Sequence, residues 1–288
     1  MTILRAVTFS LIFACFQVCQ LRAETGLGAS FKGPIGLQLY SLRAEMIRNV
    51  PATLEKVKSY GIKNVELAGT YNLSPKRFRE LLDANGLNPI SGHWPFERLQ
   101  GDLLKVVEEA KALGLRYVGC AWIPHQGSFN ESECRKAIQV FNDAGRELSK
   151  HGIRFFYHAH GYEFHKHKDG TLMDLLVAET KPEWVAFQMD VLWVVFPGQD
   201  PVALLKKYGK RWELMHLKDL KRGVKTGDLS GKTDLTNDVV LGTGQMNWPA
   251  ILKEAAKQGI KYYFIEDENP LAAEQIPQSL NYLEGVRF

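Results

Sequence analysis

The chain has 288 residues, 45% hydrophobic and 24% charged, with a formal net charge of +4. This is an ordinary globular composition with enough apolar material for a large core. The small charge, with no long basic run, excludes a nucleic-acid footprint of the usual electrostatic kind. The four cysteines are too few and too scattered for a disulfide framework in a chain of this size.

The first element is a leader pattern. Met1 to Arg5 gives a short basic start, residues 6–19 are apolar except for Thr8, Ser10 and Gln17, and Leu21-Arg22-Ala23 precedes Glu24. This reads as a signal peptide over 1–23, with residues 24–288 as a single exported domain, periplasmic or secreted. The apolar run is short for a membrane span, so no stable membrane insertion is expected once the leader is removed.

From residue 35 short apolar runs alternate with longer amphipathic ones. Strands are predicted over 35–40, 64–67, 89–93, 117–122, 154–158, 185–190, 212–216 and 262–266. Helices are predicted over 51–60, 75–85, 101–113, 131–151, 171–180, 201–208, 248–258 and 271–284. Five helices run into Gly61, Gly86, Gly114, Gly152 and Gly259, each followed by one apolar residue and then a strand. Glycine in that place is the left-handed cap that ends a helix. Eight βα units at this spacing predict an α/β fold of the (β/α)8 TIM barrel class. A doubly wound open sheet lacks support, because no Gly-x-Gly-x-x-Gly follows the first strand. The longest irregular stretch, 218–247, follows the seventh strand, and a connection of that length is expected to be functional or mobile.

In such a barrel the chemistry sits at the C-terminal strand ends. Here those ends read Tyr40, Glu66, His93, Trp122, His158 with His160, Asp190, His216 and Glu266. Buried polar groups need partners, and a ring of them at one mouth points to a site. Asp190, His216 and Glu266 end adjacent strands and form a mixed nitrogen and oxygen set suited to one divalent metal (Mn, Mg, Co or Zn). A metal-free hydrogen-bond network is the plain alternative. His158 and His160 share a side of their strand, and Glu163 just beyond it is expected to fold back over the mouth. His165 and His167, interleaved with Lys166 and Lys168, read as a solvated hairpin. Glu66, His93, His158, His160, Trp193 and Lys218 are candidate substrate-binding residues.

The segments 35–41, 65–69, 91–93, 158–164, 187–193, 214–219, 241–244 and 264–267 resemble the xylose isomerase-like TIM barrel superfamily. Within it they resemble the sugar phosphate isomerase/epimerase group, which shares a domain with type-two AP endonucleases. The resemblance implies a metal held by Asp190, His216, Glu266 and a fourth ligand from strand five. Many relatives carry a glutamate there; this sequence has His158, with Glu163 as the carboxylate expected from the loop. Multi-zinc nuclease relatives have a histidine three residues after the strand-six aspartate, where this chain has Trp193, so a nuclease site is not expected.

The resulting expectation is a metal-dependent sugar isomerase or epimerase that abstracts a proton next to a carbonyl, with Glu163 and Glu266 as acid/base groups. A lyase or hydratase acting on a keto-sugar or keto-glycoside would use the same site. A barrel that binds carbohydrate without turning it over is the alternative of another class.

Overall fold

The computed structural model describes residues 25–288, so the predicted leader over 1–23 lies outside the described residues. Eight parallel strands close into a barrel: β1 (Ile35–Gln38), β2 (Asn64–Leu67), β3 (Asn88–His93), β4 (Tyr117–Cys120), β5 (Arg154–His158), β6 (Val185–Asp190), β7 (Trp212–Leu217) and β8 (Tyr262–Ile265). β1 pairs with both β2 and β8, which completes the circle. The five predicted capping glycines all have left-handed backbone, with φ of 79°, 68°, 72°, 71° and 83° for Gly61, Gly86, Gly114, Gly152 and Gly259.

Two strands end two residues earlier than the apolar runs suggest. β1 stops at Gln38 because its side chain accepts a hydrogen bond from the Tyr40 amide at 3.1 Å and turns the chain into a 3-10 turn, Leu39–Leu42. β4 stops at Cys120, which leaves Trp122 on the loop. The predicted helix over 101–113 is two pieces, Phe96–Gly101 and Leu103–Leu113, broken at Asp102. A short helix, Val191–Val195, follows β6 directly. Asp190 starts it by accepting from the Trp193 amide at 3.1 Å. The hairpin predicted beyond β5 is present as a ribbon pairing Lys166–His167 with Gly170–Thr171. Among the described residues no helix is long and apolar enough to cross a membrane.

Alternation along each strand sorts the barrel interior into layers. Ile90, Tyr117, Phe156, Ala186, Leu214 and Phe264 form an apolar plug, separate from the larger core between strands and helices. The plug fits because two strands carry no side chain beside its rings. A Cβ at Gly119 would lie 2.3 Å from the Phe156 ring, and one at Gly36 would lie 2.7 Å from Phe264. Two residues further along the same rows, Phe156 gives way to His158, Leu214 to His216 and Phe264 to Glu266. The apolar plug thus floors a polar layer at the C-terminal mouth.

The long connection after β7 is ordered by one carboxylate. Asp219 accepts from the amides of Gly242, Gly244 and Met246 and from the Trp248 indole at 2.8–3.3 Å. Asp219–Leu220 also pairs with Asp238–Val239. Farther out Gly231 lies against Tyr162, the His160 carbonyl and Trp122, so the connection covers the loop that follows β5. Removing the Asp219 carboxylate would leave several buried donors without an acceptor. Asp219→Ala is expected to lower stability by about 3 kcal/mol in urea denaturation. A change near zero would show that the connection is organised by something else.

Candidate active site at the barrel mouth

Glu66 is a fully buried ionisable group of the polar layer. Gln38 of β1 donates to it at 2.7 Å, Ser91 of β3 at 2.6 Å, Gln188 of β6 at 2.9 Å and His216 Nε2 of β7 at 2.5 Å. Burial alone pushes its carboxyl up. The neighbouring His93 and His216, with the hydrogen bonds from His216 and Ser91, outweigh that and bring it down to about 2.

These bonds settle the orientation of two imidazoles. Gln188 spends its amide N–H on Glu66, so its carbonyl oxygen is the acceptor for His158 Nδ1 at 2.9 Å. His158 therefore keeps Nε2 as a lone-pair donor. His216 donates from Nε2 to Glu66, and its Nδ1 faces Glu266 at 3.1 Å and Asp190 at 3.7 Å. Burial pushes His216 down, but the carboxylates of Glu266 and Glu66 hold it well above the usual histidine range.

The ligating atoms of His158, Asp190, His216 and Glu266 all lie within 4.8 Å of one another, and all four residues are buried. Whether this set fits a cation can be tested on its second contacts. Asp190 Oδ2 is buried with no hydrogen-bond partner, an arrangement that costs free energy unless something binds it. Each histidine has one nitrogen tied to a fixed partner, as metal-bound imidazoles require. Among the described residues, the carboxylates of Glu66, Asp190, Asp238, Glu266 and Glu268 gather around His216, Lys218 and Arg43. The donor set suits a divalent cation such as Mn, Co or Zn.

Above this group lies a cavity of about 500 Å³. Its polar lining is Gln38, His93, His158, His160, Glu266 and Glu268; the rest of the lining is Tyr40, Ala68, Gly69, Trp94, Pro95, Ala121 and Trp122. Among the residues predicted from sequence, His93, His158, His160 and Glu266 meet here. Burial, with Lys218 nearby, pushes His160 down to about 3, which keeps its ring neutral, and its Nδ1 is buried without a partner.

Four residues expected at the site lie outside the cavity lining. Glu163 does not reach the mouth. Gly161, with φ of 95°, turns the chain outward. The Glu163 carboxylate then accepts from the amides of His160 at 3.0 Å and Gly161 at 2.7 Å and from the Tyr157 hydroxyl. Tyr157 faces away from the barrel interior and packs on Phe141, so Glu163 braces the outer side of the β5 loop. Glu66 is fully buried and is not part of the cavity lining; its oxygens are held by four donors. Trp193 stands behind His160, stacked on it at 4.9 Å. Lys218 is buried and spent on carboxylates: 2.5 Å to Glu268, 3.4 Å to Glu266 and 3.5 Å to Asp238.

Glu268 is the carboxylate that sequence reading missed. It lines the cavity two residues after Glu266, a spacing that keeps two side chains on one side of an extended chain. Gln38, Ser91 and Gln188 were also missed as site residues, although Gln188 lies two residues before Asp190 in the same inward row.

Comparison with known proteins agrees with this architecture. The family model described as xylose isomerase-like TIM barrel matches residues 54–286. Inosose dehydratase 2 of Bacillus cereus is 28% identical over 242 residues, which cover 79% of this chain and 75% of that protein. A crystal structure of a sugar phosphate isomerase/epimerase from Parabacteroides distasonis superposes with a TM-score of 0.74 at 26% identity, covering 90% of this chain and 96% of the other. The IOLI protein, solved with a bound zinc atom, shares the fold with a TM-score of 0.68 at 15% identity, over 86% of this chain and 95% of that one.

The Glu163 correction has a direct check. In Glu163→Gln an amide N–H₂ would replace one of the oxygens that accept from the His160 and Gly161 amides. Stability is expected to fall by about 1–3 kcal/mol in urea denaturation, with bound metal unchanged. Loss of metal with unchanged stability would return Glu163 to the donor group.

Proposed function

Starting from a chain that belongs to the xylose isomerase-like TIM barrel family, we propose that it is a divalent-metal-dependent enzyme that moves a proton next to the carbonyl of a carbohydrate. The observation that carries this reading is the buried group of His158, Asp190, His216 and Glu266, with an Asp190 oxygen that accepts no hydrogen bond and both imidazoles pre-oriented. These four residues would hold the cation, which when bound would act as a Lewis acid toward a carbonyl oxygen and its neighbouring hydroxyl.

The chain's own groups account for the rest. His93 and His160 line the polar wall and are suited to hydroxyl groups of the substrate. Glu266 and Glu268 present two carboxylates on one edge of the cavity, with Lys218 paired to both. One carboxylate takes the proton from the carbon next to the carbonyl, and the electron pair moves toward the carbonyl oxygen. Return of a proton to the neighbouring carbon gives an isomer, and return to the opposite face gives an epimer. The second reading, a dehydratase, is favoured by the name of the Bacillus cereus relative. In that outcome the β-hydroxyl leaves as water, with its proton supplied by the second carboxyl group. The Glu268 role replaces the one expected of Glu163.

The test is exchange in deuterated water with added Mn and a panel of ketoses, inososes and keto-glycosides, read by mass spectrometry. Solvent deuterium is expected at the carbon next to the carbonyl. Glu268→Gln is expected to keep its metal and to lose turnover on the order of 10²–10⁴-fold. Full turnover in the presence of chelator, or product without deuterium from every substrate, would contradict the proposal.

A further inference from the structure

Three aromatic residues rim the cavity above the donor group: Tyr40 after β1, Trp94 after β3 and Trp122 after β4. All three are held in place. The Trp94 indole N–H donates to Glu109 at 2.9 Å. Trp122 is stacked on His125 at 5.0 Å. The Arg43 guanidinium lies 4.3 Å from the centre of the Tyr40 ring and also donates to the Tyr40 carbonyl at 3.0 Å.

Tyr40 nevertheless remains 42% exposed, and it is the only aromatic among the exposed large hydrophobic side chains of the described residues. Holding an exposed ring costs side-chain entropy, and apolar surface left in water contributes nothing to folding. A ligand that covers the ring recovers that surface. The cavity volume of about 500 Å³ falls in the range that encloses drug-sized ligands, and a single sugar ring at the floor would leave the rim empty. Polar groups stand beside the exposed ring. Arg43 donates to the Glu268 carbonyl at 3.4 Å and lies 3.8 Å from its carboxylate. Arg43 covers one face of the ring; the exposed remainder, flanked by charged hydrogen-bonding groups, matches a sugar ring, which shows C–H bonds on its faces and hydroxyls at its edge.

We propose that this rim is a subsite for a second sugar ring, and that the substrate is a glycoside rather than a free monosaccharide. The reacting ring would lie at the floor beside His158 and Glu266, and the attached ring against Tyr40. The proposal rests on the carbohydrate reading above and adds the substrate class to it.

Calorimetric titration tests it without turnover. The probes are cellobiose, maltose and trehalose, each compared with the methyl glucoside of matching anomeric configuration, titrated into the metal-loaded protein, Tyr40→Phe and Tyr40→Ala. In the unsubstituted protein at least one disaccharide is expected to bind about fivefold or more tightly than its methyl glucoside. Tyr40→Phe keeps the ring and should retain that advantage; Tyr40→Ala should lose most of it. Because Tyr40 is exposed, neither change is expected to disturb folding. An absent disaccharide advantage, or one that survives Tyr40→Ala, overturns the subsite while proton exchange on monosaccharides still stands. Failure of both sugar classes to bind, together with absent proton exchange, overturns the carbohydrate reading and the subsite with it.

Discussion

A single buried carboxylate ties this barrel mouth together. Glu66 on β2 accepts from β1, β3, β6 and β7 through Gln38, Ser91, Gln188 and His216. An unpaired charge at that depth would be prohibitively costly. Its bonds therefore constrain the strands, and through them the mouth. The same bonds orient the ring of His216 directly and that of His158 through Gln188. Without Glu66 the two imidazoles would be free to turn, and the donor group of His158, Asp190, His216 and Glu266 would lose its preset orientation.

The upper part of the site depends in the same way on Lys218. It is a buried cation among three carboxylates, those of Asp238, Glu266 and Glu268. Burial pushes its ammonium down, and the carboxylates outweigh this and hold it well above the usual lysine range. It stays charged and fixes the two residues that face the cavity. Asp238 belongs to the long connection after β7, which Asp219 gathers at its other end. The connection is thus wired into the site through a salt bridge as well as packed over the β5 loop. The resulting cavity is lined by both charged and aromatic side chains.

The barrel was legible in the sequence because its signals are local. Strand-length apolar runs, helical periodicity and a glycine at each of five helix ends are properties of neighbouring residues. Asp190, His216 and Glu266 were legible for a related reason: alternation carries an inward row from Leu214 to His216 and from Phe264 to Glu266. The failures begin where the strands stop. Glu163 is five residues past His158, and the turn at Gly161 sends it to the outer side, where Tyr157 and two amides capture it. Nothing in the spacing distinguishes that side from the mouth. Glu268, also past a strand end, remained on the inward side and was overlooked. Gln38, Ser91 and Gln188 escaped for a different reason. A search for ionisable groups passes over amides and hydroxyls, although here they orient the charges. Lys218 is spent on three carboxylates and Trp193 stacks behind His160, which spacing along the chain does not reveal.

Glu66 pre-orients the proposed cation site without itself touching the cation. The most direct measurement is the Mn affinity of Glu66→Gln, by calorimetry, against that of the unsubstituted protein. A glutamine keeps the volume of the side chain while weakening its hold on His216 Nε2. The account predicts affinity lower by roughly 10–100-fold at unchanged one-to-one stoichiometry, with the substituted protein still folded. Affinity equal to that of the unsubstituted protein would contradict it and reduce Glu66 to a packing residue.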